Sequence, residues 1–162
     1  ALPSKCDDKT VSEVTIRLKE YYALHSRIKT KPYDGIFECL DAIKQKGIKS
    51  AVLTNKLESA AKKLCADLFP GCFDMVCGDN GTDKLKPAPD GIERISEYLN
   101  VSKDDVVYIG DSEVDAETAI NASVRSIGVL WGFRDEDILE SCGFDEIARE
   151  VRDIIDIIEK NS

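Results

Sequence analysis

The stretch VVYIGDSEVDAETAINA, residues 106–122, decides how the rest of the chain is read. Val106 to Ile109 form an apolar, β-branched run of the kind that makes a fully buried parallel strand. Gly110 breaks the run, Asp111 and Asp115 follow, and a helical pattern begins at once. Ser112 is placed to cap that helix, and Glu113, Asp115 and Glu117 load its first turns with acid, as a helix N-terminus favours. A buried strand ending in Gly-Asp-Ser at a strand-to-helix turn puts carboxylates at the carboxyl edge of a sheet, where α/β folds bind ligands. Two carboxylates held close there suit a hard divalent cation. An acidic helix cap with ordinary surface acids explains the same residues, and the stretch by itself leaves both readings open.

Outward from that turn, the composition narrows the classes of partner. At 162 residues and 43% hydrophobic content, the chain can bury one good core. Lys and Arg number 22 against 31 Asp and Glu, a net charge of −9 that disfavours nucleic acid and anionic membrane. No apolar run approaches the length of a membrane span, and ALPSKCDDKT does not read as a signal peptide. Cys6, Cys39, Cys65, Cys72, Cys77 and Cys142 lie in no Cys-x-x-Cys pair, and several sit among apolar residues. They read as reduced thiols of a cytoplasmic protein.

In chain order, residues 10–28 carry Val11, Val14, Leu18 and Tyr21 or Tyr22 at helical spacing, although Val14, Ile16 and Leu18 also alternate as in a strand. His25, the sole histidine, reads as a helix-surface residue. A turn-rich link, residues 29–35, leads to an amphipathic helix over residues 36–45 that Gly47 is placed to end. Residues 49–53 read as a short buried strand running into Thr54-Asn55-Lys56 and a helix over residues 57–69. A Thr at a strand tip facing a helix N-terminus is a good phosphate site, since hydroxyl and helical N–H groups can donate and the dipole favours an anion; a plain Thr/Asn cap is the simpler explanation. Residues 73–77 read as a third strand. Pro87 and Pro89 then fix the backbone where a helix starts that runs to about Leu99 and closes at Asn100, so Lys86 has a set place. After the acidic turn, residues 126–130 read as a strand, Trp131 and Phe133 as packing residues at its edge, residues 135–141 as a short acidic helix, 145–148 as an edge strand and 151–160 as the last helix. Strand and helix alternate, which predicts an α/β fold with a parallel sheet covered on both faces.

A hydroxyl at one strand tip (AVLTN), a fixed lysine (KPAP) and an acidic pair at another tip (YIGDSEVD) resemble, in that order, the second, third and fourth motifs of the haloacid dehalogenase superfamily of phosphatases. KPYDGI, the TNK triplet and GVLWGF are similar to its phosphoglycolate phosphatase branch. The resemblance implies a Rossmann-like core over residues 33–162 and, in residues 1–32, the remnant of a helical cap. It implies a Mg²⁺-dependent phosphomonoesterase for a small phosphorylated metabolite, working through an aspartyl-phosphate. Thr54 and Asn55 would then bind the phosphoryl group, Lys86 would neutralise charge shared between phosphate and nucleophile, and Asp111 and Asp115 would ligate Mg²⁺ or orient its waters.

The chain departs from the family at the nucleophile. The family's first motif, a strand ending in Asp-x-Asp-Gly-Thr or Ser, should come first, yet the sequence opens inside what resembles the second part of the cap. Asp79-Asn80-Gly81-Thr82 lacks the second acid, and Asp135-Glu136-Asp137 opens a helix. The expectation is therefore a fragment, a truncated product or a remnant, inactive alone; the alternative is a non-catalytic relative that binds metal, phosphate or a protein. A receiver-like reading of the acidic turn is the less favoured, since it leaves Thr54 and Lys86 unexplained.

Two structural expectations follow from the resemblance. Thr54, Lys86, Asp111 and Asp115 should converge at one sheet edge. The missing first strand should leave a gap between the strands that end at Thr54 and Gly110, closed by direct pairing, by the N-terminal segment or by a strand from elsewhere. The last two are favoured, which makes a homodimer or a complementing N-terminal fragment the expected macromolecular partner.

Overall fold

The computed structural model describes residues 30–160 and, before them, Asp7, Thr10, Val11, Glu13, Val14 and Arg17. The chain divides into two compact units, Ala1–Pro32 and Tyr33–Ser162. In the first, the described residues from Thr10 to Arg17 are helical, and the Thr10 N–H donates to Asp7 Oδ1 at 2.7 Å as at a capped helix start. His25 and the rest of that expected helix lie outside the described residues.

The second unit alternates helix and strand. Helix α1, Ile36–Gln45, turns Cys39 and Ile43 inward, one turn apart. It ends as expected at Gly47, whose φ of 72° lets its N–H reach Lys44 O while the Ile48 N–H reaches Ile43 O. Strand β1, Ala51–Leu57, and helix α2, Glu58–Leu68, follow. Next come β2, Met75–Asp79, and α3, Asp90–Leu99. The motif strand β3, Val107–Gly110, feeds α4, Glu113–Ala122, and β4 is Arg125–Val129. Helix α5, Glu136–Ser141, the edge strand β5, Glu146–Ala148, and α6, Asp153–Lys160, complete the unit. Asn100 ends α3 in the left-handed region as anticipated; Ser123 ends α4 the same way without an obvious sequence signal.

All strand pairs are parallel. Val107 and Tyr108 are consecutive in β3, so their side chains point to opposite faces. Val107 packs with Ile43 of α1, Ile127 and Val129 of β4, and Ile154 and Ile157 of α6. Tyr108 packs with Ile92 of α3 and Ala119 and Ala122 of α4. Helices therefore cover both faces, the expected α/β architecture. Among the described residues no helix is long and apolar enough to cross a membrane.

The sheet is split. β1 pairs with β2, and β3 pairs with β4, which pairs with β5; no ladder joins β1 to β3 among the described residues. Direct pairing, one of the three expected ways of closing the gap, is thus not what the chain does. Instead α3 bridges the halves from one face: Leu53 of β1 packs on the cluster that holds Ile92 and Tyr108. On the strand edge beside that gap, Ile109 remains 38% exposed although it sits inside a strand.

Candidate active site

Each half of the split sheet contributes one side of a site, and Lys86 links them. On the β1 side, Thr54 accepts the Lys56 N–H at Oγ1, 3.2 Å away, which leaves the hydroxyl proton available to a ligand. Asn55 is spent differently: Nδ2 donates to Lys86 O at 3.0 Å and Oδ1 accepts the Lys86 N–H at 2.8 Å. This two-point clamp fixes the lysine's backbone in addition to the prolines that follow it. Thr54, Asn55 and Lys86 share one crevice, which has room for about 10 Å³, roughly a single water. A group as large as a phosphoryl does not fit inside it. Leu57, which precedes α2, makes no side-chain cap, so the first amides of that helix have no side chain closing them off.

On the β3 side the centre is Asp115, which is 5% exposed. Its Oδ1 accepts from Lys86 Nζ at 2.8 Å and from Tyr108 Oη at 2.9 Å. Its Oδ2 accepts from Ser112 Oγ at 2.6 Å and from the Asp111 N–H at 3.2 Å. Four donors fill the four acceptor positions of a carboxylate. Burial pushes the Asp115 pKa up, but donation from Lys86 and Ser112, the charge of Lys86 and the Tyr108 bond outweigh it and hold the carboxyl below its ordinary value. Ser112 does sit at the helix cap, yet it makes no capping bond to the backbone. Its hydroxyl donates to the Asp115 carboxylate instead. A Cβ on Gly110 would lie 2.2 Å from Asp115 Cβ, so the strand can end this close to the helix only with glycine there.

Tyr108 is a site residue that the motifs do not mark, although a polar-tipped ring in an otherwise aliphatic strand is a signal, because a buried phenol seeks a partner. Burial first, then the charge of Asp115, raises its pKa far above the ordinary phenol value, so it stays a donor. Lys86 Nζ also donates to Tyr108 Oη at 3.3 Å. Two of the three ammonium donors are thereby used, and the third is available to a ligand. Tyr108→Phe is expected to cost about 1.5 kcal/mol in a urea titration, the worth of a hydrogen bond to a charged group. A cost within about 0.5 kcal/mol, the noise of neutral surface changes, would show that the phenol does not engage Asp115.

Asp111 stands at the start of the turn, and its Oδ2 accepts the Phe133 N–H at 2.9 Å. No protein donor reaches Oδ1 among the described residues. Phe133 itself departs from its expected packing role. Trp131 packs on the core, but the Phe133 ring is 74% exposed and carries the Arg134 guanidinium 4.6 Å from its centroid. The cysteines Cys39, Cys65, Cys72, Cys77 and Cys142 are free thiols.

The donor set fits Mg²⁺ at Asp111: one hard carboxylate oxygen points outward, and Mg²⁺ keeps several waters while binding one or two carboxylates. Asp115 has no acceptor position to spare unless it releases Lys86, Tyr108 or Ser112. Among the described residues no group of three or more His, Cys, Asp or Glu side chains is gathered as for a metal.

The family model for haloacid dehalogenase-like hydrolases matches residues 4–129. This chain belongs to that family. It is 32% identical over 127 residues to a phosphoglycolate phosphatase of Aquifex aeolicus, covering 78% of this chain and 60% of that protein. It is 26% identical over 155 residues to the pyrophosphatase PpaX of Halalkalibacterium halodurans, covering 95% of this chain and 72% of the relative. Among solved structures, a candidate phosphoglycolate phosphatase of Lactobacillus delbrueckii subsp. bulgaricus superposes with a TM-score of 0.90 at 38% identity, over 98% of this chain and 66% of that one. The chain thus spans about three fifths to seven tenths of the length of these haloacid dehalogenase-like relatives, 60%, 66% and 72% respectively. Their names support a phosphatase in the broad sense.

Proposed function

We propose that this chain forms the phosphate- and Mg²⁺-binding part of a phosphomonoesterase acting on a small phosphorylated metabolite, similar to phosphoglycolate phosphatase. The observation that carries this reading is Lys86: its backbone is clamped by Asn55, its ammonium is fixed by Asp115 and Tyr108 with one N–H left over, and it lines the same crevice as Thr54. A preorganised cation and hydroxyl at a parallel-sheet edge are what an incoming phosphoryl group needs, because they stabilise its charge without reorganising. Thr54 would donate to one phosphoryl oxygen and Lys86 to another. Asp111 would hold Mg²⁺ through Oδ1, and the bound ion would supply further charge neutralisation. Asp115 would act on the reaction by keeping Lys86 charged and in place.

The carboxylate that attacks phosphorus in the family has no counterpart among these residues. Asp79, at the tip of β2, accepts the Gly81 N–H at 3.0 Å within its own loop. Asp135 is the residue before α5. A complementing N-terminal strand, or one from a second copy, would lie between β1 and β3 and bring that acid to the site. The second reading, a non-catalytic relative that binds metal or phosphate, rests on the same lack. In either case the site should bind inorganic phosphate with Mg²⁺ present, followed by ³¹P line broadening. Lys86→Ala should weaken that binding about tenfold or more, as loss of a charged hydrogen bond predicts. Phosphate binding unchanged by Lys86→Ala would overturn the assignment.

A further inference from the structure

The loop that follows β4 reaches back to the acidic turn at three consecutive residues, 132–134, just after an anchoring tryptophan. Trp131 packs on the hydrophobic cluster of α1, β4 and α6, which anchors one end. Gly132 lies against Asp111 so closely that a Cβ there would sit 2.2 Å from Asp111 Cβ, 2.4 Å from Oδ2 and 2.7 Å from Cγ. The Phe133 N–H donates to Asp111 Oδ2. Arg134 Nε donates to Glu113 Oε2 at 2.8 Å, and Glu113 is the first residue of α4, two positions after Asp111. Arg134 also covers the exposed Phe133 ring.

We propose that residues 131–134 are a clasp that sets the Asp111 carboxylate, with Gly132 and Phe133 as positioning residues for the metal ligand. Among the described residues no other hydrogen bond holds the Asp111 side chain, so its orientation comes from a loop two elements away in the chain. Fixing Oδ2 on a backbone N–H would leave Oδ1 as the less engaged oxygen for a cation. The collision at Gly132 involves Cβ and Cγ of Asp111. A methyl group there therefore cannot be avoided by swinging a flexible tip; either the aspartate or the loop has to move. Partners that orient a ligating carboxylate are worth about 10- to 100-fold in metal affinity.

The inference rests on Asp111 being the Mg²⁺ ligand, and the test separates the two claims. Mn²⁺ binding to the 162-residue chain is measured by electron paramagnetic resonance for the unaltered protein, Gly132→Ala, Asp111→Asn and Gly71→Ala. All are held at a temperature where circular dichroism shows them folded. Gly71, unlike Gly132, has a positive φ, 71°, and no heavy atom within 4 Å of its missing Cβ, so Gly71→Ala strains the backbone without a side-chain collision. Gly132→Ala should lower Mn²⁺ affinity about tenfold or more, and Gly71→Ala should leave it unchanged. Asp111→Asn binding Mn²⁺ as well as the unaltered chain would overturn the metal reading. Gly132→Ala binding normally while Asp111→Asn does not would overturn the clasp alone. A second measurement needs no metal: amide exchange at Phe133 should be protected, and Asp111→Ala should abolish that protection. A Phe133 amide that exchanges freely in the unaltered chain would overturn the clasp whatever the metal does.

Discussion

The 162-residue chain should hydrolyse phosphoglycolate or an aryl phosphate about 10⁴-fold or more slowly than the same chain supplied with an apolar strand ending in Asp-x-Asp-Gly-Thr. The covalent route needs a carboxylate in line with phosphorus, and the acids at the site are all engaged elsewhere. Asp115 is saturated by four donors. Asp111 is tied by Oδ2 to Phe133, and its other oxygen is the one that a cation would take. Thr54 has a hydroxyl but no base among its contacts, and an unactivated hydroxyl is a weak nucleophile. Lys86 and Thr54 can still bind and polarise a phosphate, so residual catalysis should be small and Lys86-dependent. The split sheet says where the strand should go. Among the described residues β1 and β3 each pair on one side only, and a strand inserted between them would sit about 4.8 Å from each while satisfying both ladders. The assay compares the chain alone, the chain fused to or mixed with that strand, and the strand with its first Asp changed to Asn. Rapid turnover by the chain alone, abolished by Asp111→Ala so that a contaminant is excluded, would show a nucleophile that the geometry does not reveal. No gain on adding the strand would favour the non-catalytic relative.

Much of this site was legible as sequence because its signals are local. A β-branched run, a glycine and an acid four residues before another acid occupy one strand and one helical turn, and periodicity places such features well. Gly47 and Asn100 likewise end their helices where their tolerance of positive φ predicts. Strand limits were less legible. Residues 49–53 read as the strand, whereas β1 is Ala51–Leu57, because Leu57 pairs with Asp79 after an irregularity in the register and draws Thr54-Asn55-Lys56 into the ladder. What the sequence hid is non-local. Asn55 looks like a cap residue, and only the fold brings the Lys86 backbone to both ends of its amide. Phe133 looks like packing, but its part at the site is a backbone N–H, which leaves no trace in side-chain chemistry. Ser112 looks like a helix cap, but its hydroxyl donates to a buried carboxylate and accepts no backbone N–H.

Asp115→Asn should destabilise the fold by about 3 kcal/mol, near the lower end of what breaking one side of a buried ion pair costs. The side chains of Lys86 and Asp115 are 15% and 8% exposed, so the substitution strands an ammonium in a place water reaches poorly. Lys86→Met should cost less. The carboxylate it leaves behind keeps Tyr108, Ser112 and the Asp111 N–H as donors, whereas the ammonium left by Asp115→Asn keeps only the Tyr108 oxygen and a weakened amide acceptor. The pair also fixes a sign for pH. Asp115 has a lower pKa folded than its ordinary value of 3.8, so the unfolded chain binds its proton more readily. Its contribution is fully present above that ordinary value and is lost as pH falls through the lower folded-state value. Urea midpoints taken from pH 6 downward should therefore converge for the unaltered chain and Asp115→Asn in acid, and separate above about pH 5, clear of the ordinary carboxylate range. Equal midpoints at neutral pH, or a Lys86→Met variant less stable than Asp115→Asn, would show that Asp115 is not the group that makes the buried lysine tolerable.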